Sequence, residues 1–543
     1  MSAFTIRNPV IPGFYPDPTI CRVGQDFYLA CSSFELCPGI PVFHSRDLAH
    51  WEQISNALTA ENGFQVEKNS MVGGVMAPTL RYRNGVFYLI VANFSDRGNC
   101  IVTAADPAGP WSAPHWLDDV PGIDASLFFD RDGSACIMGT GDVWDNGAGK
   151  KERGIWLAAY DIEHFRMKGS PVTIFNSALR VGSSPEAPHL YHIGDWYYLL
   201  IAEGGTEHYH AVMCARSREL FGFYEGDPAN PVLTHRHMGF GCPILNVGHA
   251  DLVELEDGSR YAVMLASRLL GGSCKNLGRE TFLCPVVWER DWPLFSPETG
   301  KVEWQYDGPA SLEECVFPTA PSRDDFDTPP EDLSWISWGT PYQEYYTVAD
   351  SFLSLRCLRE SPVEDLRPMA MNGVPDTGRT LSFLGKRQCG THVRVGCRVR
   401  FVPENKESSG LAVIQSMNHQ FHLELARENG VPGIRVLLVT CDFNCPPFMP
   451  GFRSLTKQEV IAFLPWTRET AVLQIEMQEE AFTFRCGTDE AHLSTLAVAD
   501  GRLINPEKVG CMSGTIVGMF ATANGEESTN RADFDWFEMV SPS

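Results

Sequence analysis

Over roughly the first three hundred residues, apolar and aromatic positions gather in short runs, each entered through a tight polar turn: RVGQDFYLA, RYRNGVFYLI, DRDGSACIM, YHIGDWYYLLI and LEDGSRYAVML. The anchors Tyr28, Tyr88, Cys136, Tyr197 and Tyr261 recur at intervals of roughly 50–65 residues, a spacing that suits one propeller blade per repeat. Between them FHSRDLAHW, TAADPAGPW and CARSRELFGFY read as a strand, a polar turn and an aromatic that closes a blade edge. Helical periodicity is weak and Gly and Pro are frequent, as short strands joined by turns require. The pattern predicts an all-β chain whose first part is a five-bladed β-propeller. Repeat spacing alone also admits an irregular β-sandwich.

The stretch GPASLEECVFPTAPSR, Gly308 to Arg323, loses the strand pattern and reads as a linker. Beyond it period-two runs return in GLAVIQSM, QFHLELARE, GIRVLLVT and AVLQIEMQEEAFTFRC, which predict an antiparallel β-sandwich of about two hundred residues. The expected division is a propeller over 1–307, a linker over 308–323 and a sandwich over 324–543. A chain of 543 residues and 60.3 kDa is too long for one core, which agrees with two domains.

Charge narrows the partners. A net charge of −25 and a pI near 5.0 argue against nucleic acid or an anionic membrane surface, both of which need a positive field, and leave a neutral substrate unaffected. No stretch approaches the roughly 20 apolar residues of a membrane helix. The opening MSAFTIRNPVIPGF lacks a basic-then-apolar signal pattern, so the expected location is the cytoplasm. The 17 cysteines are scattered, and Cys31, Cys100, Cys136 and Cys284 lie in or beside apolar runs where a thiol acts as a small hydrophobe. Cys441 and Cys445 form a close pair with no second ligand pair to complete a zinc site. The single sequon, Asn93-Phe94-Ser95, is what chance supplies.

Three carboxylates stand in Pro- or Gly-rich settings: Asp17 in GFYPDPTI, Asp124 in PGIDASLFFD and Glu186 in SSPEAPHLY. Each has an ordinary reading, as a turn former, a turn cap and a solvated acid respectively. Together, in three successive repeat zones of a fold whose inner strands line a central channel, they point to an enclosed acidic site. Glycosidic hydrolysis needs such a set, one acid to protonate the leaving oxygen and one carboxylate to act at the anomeric carbon directly or through water. Pro16 and Pro18 stiffen the backbone around Asp17, as a base requires. Pro185, Ala187 and Pro188 desolvate Glu186, as an acid requires.

The segments NPVIPGFYPDPTICRVGQDFYLACSSFELCPGIPVFHSRDLAHW, APTLRY, PGIDASLFFDRDG, SSPEAPHLY, LLIAEGGTEHYHAV, GHADLVE and LGRETFLCPVVWERDWP together resemble glycoside hydrolase family 43, in its β-xylosidase and α-L-arabinofuranosidase branch. DDFD at 324–327, VGCMSGTIVG at 509–518 and the closing ADFDWFEM resemble the concanavalin-like β-sandwich that accompanies this branch. The resemblance implies an exo-acting, inverting enzyme that releases terminal β-D-xylose, α-L-arabinofuranose or both from xylo-oligosaccharides or arabinose-decorated fragments. It makes Asp17 the general base, Asp124 the residue that tunes the acid, and Glu186 the general acid, with base and acid about 6.5–9.5 Å apart. Arg279 in GRETF would grip a sugar hydroxyl, and Phe34 would wall the innermost subsite. His249 would sit beneath the pocket, and it is the candidate position for a calcium ion held through water; no cofactor is otherwise implied.

The chain departs from the branch at the rim. Met76 precedes APTLRY, Cys37 stands in FELCPG and Met512 in CMSGT, where relatives carry aromatics, which implies a wider or more adaptable pocket edge. Three readings compete with the leading one: a non-catalytic carbohydrate-binding propeller, a retaining relative acting on fructosides, and a glycosidase with shifted glycone specificity. Which pentose is preferred, the pH optimum and metal dependence lie beyond the sequence, as does the oligomeric state, although the acidic surface and the sandwich are compatible with a homo-oligomer.

Overall fold

The computed structural model describes residues 4–66, 73–93, 97–145, 151–176, 184–239, 241–272, 274–364, 379–445, 451, 453–509 and 512–542. The N-terminal part holds five antiparallel sheets in chain order. Their innermost strands are Thr19–Val23, Val75–Arg83, Ile123–Phe129, Glu186–Ile193 and Ile244–Glu254. Each of these strands contacts its neighbours in the next sheets, and the fifth returns to the first, so the five close a ring. The repeat anchors, four of them tyrosines, occupy the second strands: Tyr28 in Asp26–Ala30, Tyr88 in Val86–Asn93, Cys136 in Ala135–Asp145, Tyr197 in Trp196–Glu203 and Tyr261 in Arg260–Arg268. Their rings pack between adjacent sheets: Tyr28 lies edge-on to Phe87 at 5.1 Å and Tyr88 lies 5.6 Å from Phe129. The repeat therefore marks the layer that glues blade to blade.

A second, quieter repeat runs along the innermost strands. Asp17, Ala77, Asp124, Ala187 and His249 all have positive φ, between 51° and 55°. In the second to fifth sheets this residue sits inside a register shift, at Met76/Thr79, Ile123/Ser126, Glu186/His189 and Gly248/Asp251. A left-handed residue in a bulge costs about 1–3 kcal/mol and re-aims its side chain, so strain of this kind is tolerated where aim matters. Two residues further on stand Thr19, Thr79, Ser126, His189 and Asp251, all buried. The fold thus turns five short segments, DPT, APT, DAS, APH and HAD, into five equivalent positions around one axis.

Residues 308–322 contain no strand, and they dock along the first sheet: Cys315 N donates to Asp47 Oδ2 at 2.8 Å and Phe317 lies 5.5 Å from His44. The C-terminal part is two antiparallel sheets of eight and six strands around a core that includes Leu353, Val395, Leu411, Phe421, Ile475 and Phe534. It is not a separate bead. Ser337–Trp338 pairs with Leu36–Cys37 across the domain boundary, and Gly339 N donates to Glu35 O at 2.7 Å. Thr515 N and Gln415 Nε2 both donate to Asn276 O, at 2.8 and 2.6 Å, and Asn276 Nδ2 returns a bond to Gly501 O at 3.0 Å.

Among the described residues no disulfide links the cysteines. Asn93 is buried, while residues 94 and 95 of its sequon lie outside the described residues. Among the described residues no helix is long and apolar enough to cross a membrane.

Candidate active site

The bulged ends of the innermost strands bring the three carboxylates to one face of the ring. Asp17 is 5 % exposed and Asp124 7 %, while Glu186 is half-buried. Asp17 is the best-partnered of the three. Its Oδ2 accepts from Ser32 Oγ at 2.5 Å, and its Oδ1 accepts from Arg279 Nη1 at 2.9 Å, with His249 Nδ1 3.7 Å away. Burial pushes its carboxyl up, but Arg279, His249 and the Ser32 hydrogen bond outweigh burial and hold it below its ordinary value. Ser32 Oγ in turn accepts from Ala77 N at 2.7 Å, which ties Asp17 to the second innermost strand.

Asp124 and Glu186 experience the opposite balance. Asp124 Oδ2 accepts from Ala187 N at 3.0 Å, so this carboxylate is bonded to the backbone one residue beyond Glu186. Thr140 Oγ1 donates to Pro185 O at 2.9 Å and steadies the same turn from the other side. Burial, then the charges of Glu186 and Asp17, raise Asp124 to about 8. Burial also raises Glu186, with Asp17 adding and Arg153 and Arg279 opposing. Two crowded carboxyls that both resist ionisation retain a proton near neutrality, beside a third that is ionised.

Beneath them Asp251 ties the inner strands together. It accepts from Thr19 Oγ1 at 2.7 Å, Arg81 Nη1 at 2.9 Å and Tyr191 Oη at 2.6 Å. Arg81 Nη2 lies 3.0 Å from His189 Nδ1, which lies 3.4 Å from Ser126 Oγ. Burial keeps His189, His210 and His249 below the usual histidine range, so all three are neutral at pH 7. For a cation the donor set does not fit: the Asp17 oxygen that His249 faces is already occupied by the Arg279 guanidinium. Among the described residues no group of three or more His, Cys, Asp or Glu side chains is arranged to hold a metal ion.

The apolar wall is assembled from both domains. Phe34 is 1 % exposed, stacks on Phe14 at 5.4 Å, and exchanges backbone bonds with Val75 at 2.8 and 3.0 Å. Met76 shares its cluster with Trp338, Met417 and Ile516, and Met512 packs against the same cluster. Cys37 is buried beneath it, with its Sγ 3.7 Å from Thr340 Oγ1. Gly278, at φ +74°, brings the Arg279 loop onto the sandwich, where an added Cβ would lie 2.5 Å from Ser513 O. Arg279 spans the gap. One Nη1 binds both Asp17 and Thr206 Oγ1, at 2.9 and 2.8 Å, while Nε and Nη2 have no protein partner among the described residues. Such an orphaned guanidinium edge suits a sugar hydroxyl.

The structure therefore gathers Asp17, Asp124, Glu186, Arg279 and His249 at one centre, and Phe34, Met76 and Met512 in one wall beside it. Sequence reading missed Ser32, Thr206, His210 and Arg153. The first three lie within motifs already singled out, CSSFELCPG and EGGTEHYHAV, so reading those motifs residue by residue would have found them. Arg153 carried no signal, because its charge acts on the carboxyls from the third strand of a sheet.

Known proteins resemble this chain over nearly its whole length. Residues 6–293 match glycosyl hydrolases family 43, and residues 323–540 match the β-xylosidase C-terminal concanavalin A-like domain. A xylosidase/arabinosidase of Butyrivibrio fibrisolvens is 38% identical over 539 residues, covering 98% of each chain. A non-reducing end α-L-arabinofuranosidase of Bacteroides ovatus is 37% identical over 554 residues, 98% of this chain and 94% of the other. Among solved structures, a family 43 enzyme of the Bacteroides ovatus xyloglucan locus superposes with a TM-score of 0.83 at 35% identity, over 99% of this chain and all of that one. A xylan β-1,4-xylosidase of Bacillus halodurans superposes with a TM-score of 0.86 at 29% identity, over 98% and 99% of the two chains.

Proposed function

Because the chain belongs to glycosyl hydrolase family 43, we propose that its acidic pocket releases a terminal pentose, β-D-xylose, α-L-arabinofuranose or both, from the non-reducing end of short xylo-oligosaccharides or arabinose-decorated fragments. The observation that carries this reading is the gathering of three carboxyls on one face of the ring, Asp17 held by Arg279 and Ser32 and Asp124 bonded to the turn of Glu186, with burial and charge favouring ionisation of the first and protonation of the crowded pair. In this reading Asp17 is the base that takes a proton from the attacking water. Its remaining negative charge is balanced by Arg279 until that moment. Glu186 gives the proton that the crowded pair retains to the leaving oxygen, and Asp124, which shares that proton, orients the turn through Ala187 N. Water attacks from the face opposite the leaving group, so the product has the inverted anomeric configuration. The two free donors of Arg279 hold the glycone against Phe34. No step needs a metal or an organic cofactor.

The names of the Butyrivibrio and Bacteroides relatives support a pentose as the glycone. The test is release of nitrophenol from the β-D-xylopyranoside and the α-L-arabinofuranoside side by side, with Asp17→Ala and Glu186→Ala as blanks and proton NMR of the first-formed anomer. Cleavage of at least one pentoside, lost in both variants and giving the inverted sugar, is the expected result. A retained anomer would make Asp17 a nucleophile and overturn the base assignment.

A further inference from the structure

Glu186 lies directly opposite Ala202 in the fourth sheet, and the chain leaves that strand at Glu203 for a loop that returns at Ala211. The loop 204–210 therefore starts two residues beyond the strand partner of Glu186. The loop is pinned on its inner side. Thr206 Oγ1 accepts from Arg279 at 2.8 Å, and Glu207 Oε2 accepts from Lys275 Nζ at 2.5 Å and Asn246 Nδ2 at 3.2 Å. His210 N donates to Glu207 O at 2.9 Å, and the buried His210 ring packs 2.8 Å from Asn246 O. At Gly204, φ +90°, an added Cβ would lie 2.2 Å from Tyr209 O, so the two ends of the loop are pressed together.

The outer side carries His208 and Tyr209, both exposed, with Tyr209 at 66 %. Their rings meet edge to face at 5.1 Å and 75°. A large ring left in water on a loop pinned from its inner side contributes little to folding, whereas its face is what the C–H side of a sugar ring packs against. The rim residues Cys37 and Met76 are buried and carry no ring for a second sugar.

Resting on the glycosidase reading above, we propose that loop 204–210 is the leaving-group platform, with Tyr209 as the stacking surface for the departing sugar and His208 as its edge-on support. The loop thereby selects saccharide leaving groups over small ones.

The experiment compares a pentosyl-xylose disaccharide with the matching pentosyl fluoride, whose leaving group has no ring to stack, using the pentose that the wild-type chain releases. Tyr209→Ala should lower kcat/KM on the disaccharide about tenfold, mainly through KM. It should leave fluoride hydrolysis and the thermal midpoint unchanged. Tyr209→Phe should keep wild-type values on both substrates, and His208→Ala should fall between. Equal losses on both substrates, or no loss on either, would overturn the platform while leaving the glycosidase reading intact. A wild-type chain that cleaves neither would overturn the glycosidase reading and this proposal with it.

Discussion

At the residue scale, function rests on how three similar side chains come to differ. Asp124→Asn keeps an acceptor for Ala187 N and removes the like charge that forms beside Glu186 when the pair gives up its last proton, so Glu186 then loses its proton at lower pH. Because the acid must be protonated to act, the alkaline limb of kcat/KM should move to lower pH in this variant, with turnover at neutral pH reduced; an unmoved limb in a pH-rate profile would remove Asp124 from the tuning role. Ser32→Ala acts on the other limb. Without the 2.5 Å bond the folded Asp17 carboxyl rises towards its ordinary value, the base is neutralised sooner as pH falls, and the acid limb should shift upward. Glu186→Ala should cost about 10²–10⁴ in kcat on disaccharides, and far less on a dinitrophenyl glycoside that needs no proton to leave. The three carboxylates themselves were legible in the sequence from residue type and stiff local setting. Their charge states were not, because Arg153, Ser32 and Arg279 come from distant positions.

At the element scale the loudest repeat and the functional repeat are different. Aromatic anchors on the second strands revealed the blades, since rings between sheets must recur with the architecture. The DPT, APT, DAS, APH and HAD segments are also present in the sequence, but their shared property is a left-handed backbone, which residue type betrays only weakly. Strain at an element boundary can be tested at Gly278. Gly278→Ala puts a Cβ 2.5 Å from Ser513 O at a φ of +74°, which should destabilise the fold by about 1–3 kcal/mol and displace Arg279. The expected outcome is a lower thermal midpoint together with a raised KM. A stable variant of unchanged KM would mean that the Arg279 loop does not depend on the sandwich.

At the scale of the whole molecule, the chain is two domains that share one wall. The cross-boundary strand pair, the Asn276 bonds and the Phe14, Phe34, Met76 and Met512 cluster make each domain cover apolar surface of the other. Calorimetry should therefore record both domains melting in one coupled transition, and Gln415→Ala, which removes a 2.6 Å bond to Asn276 O, should lower that transition as a unit. Two separated transitions would contradict the shared wall. The sequence by itself determined the strands, the turns and the chemistry available, because alternation, aromatic spacing and carboxylate identity are written locally and act within a few residues. Only the tertiary structure decided which carboxyl is ionised, which guanidinium edge is free and which rings are buried or bare. Those properties depend on desolvation and on charges a few ångströms away, and ring closure and domain docking bring such neighbours from positions up to hundreds of residues apart.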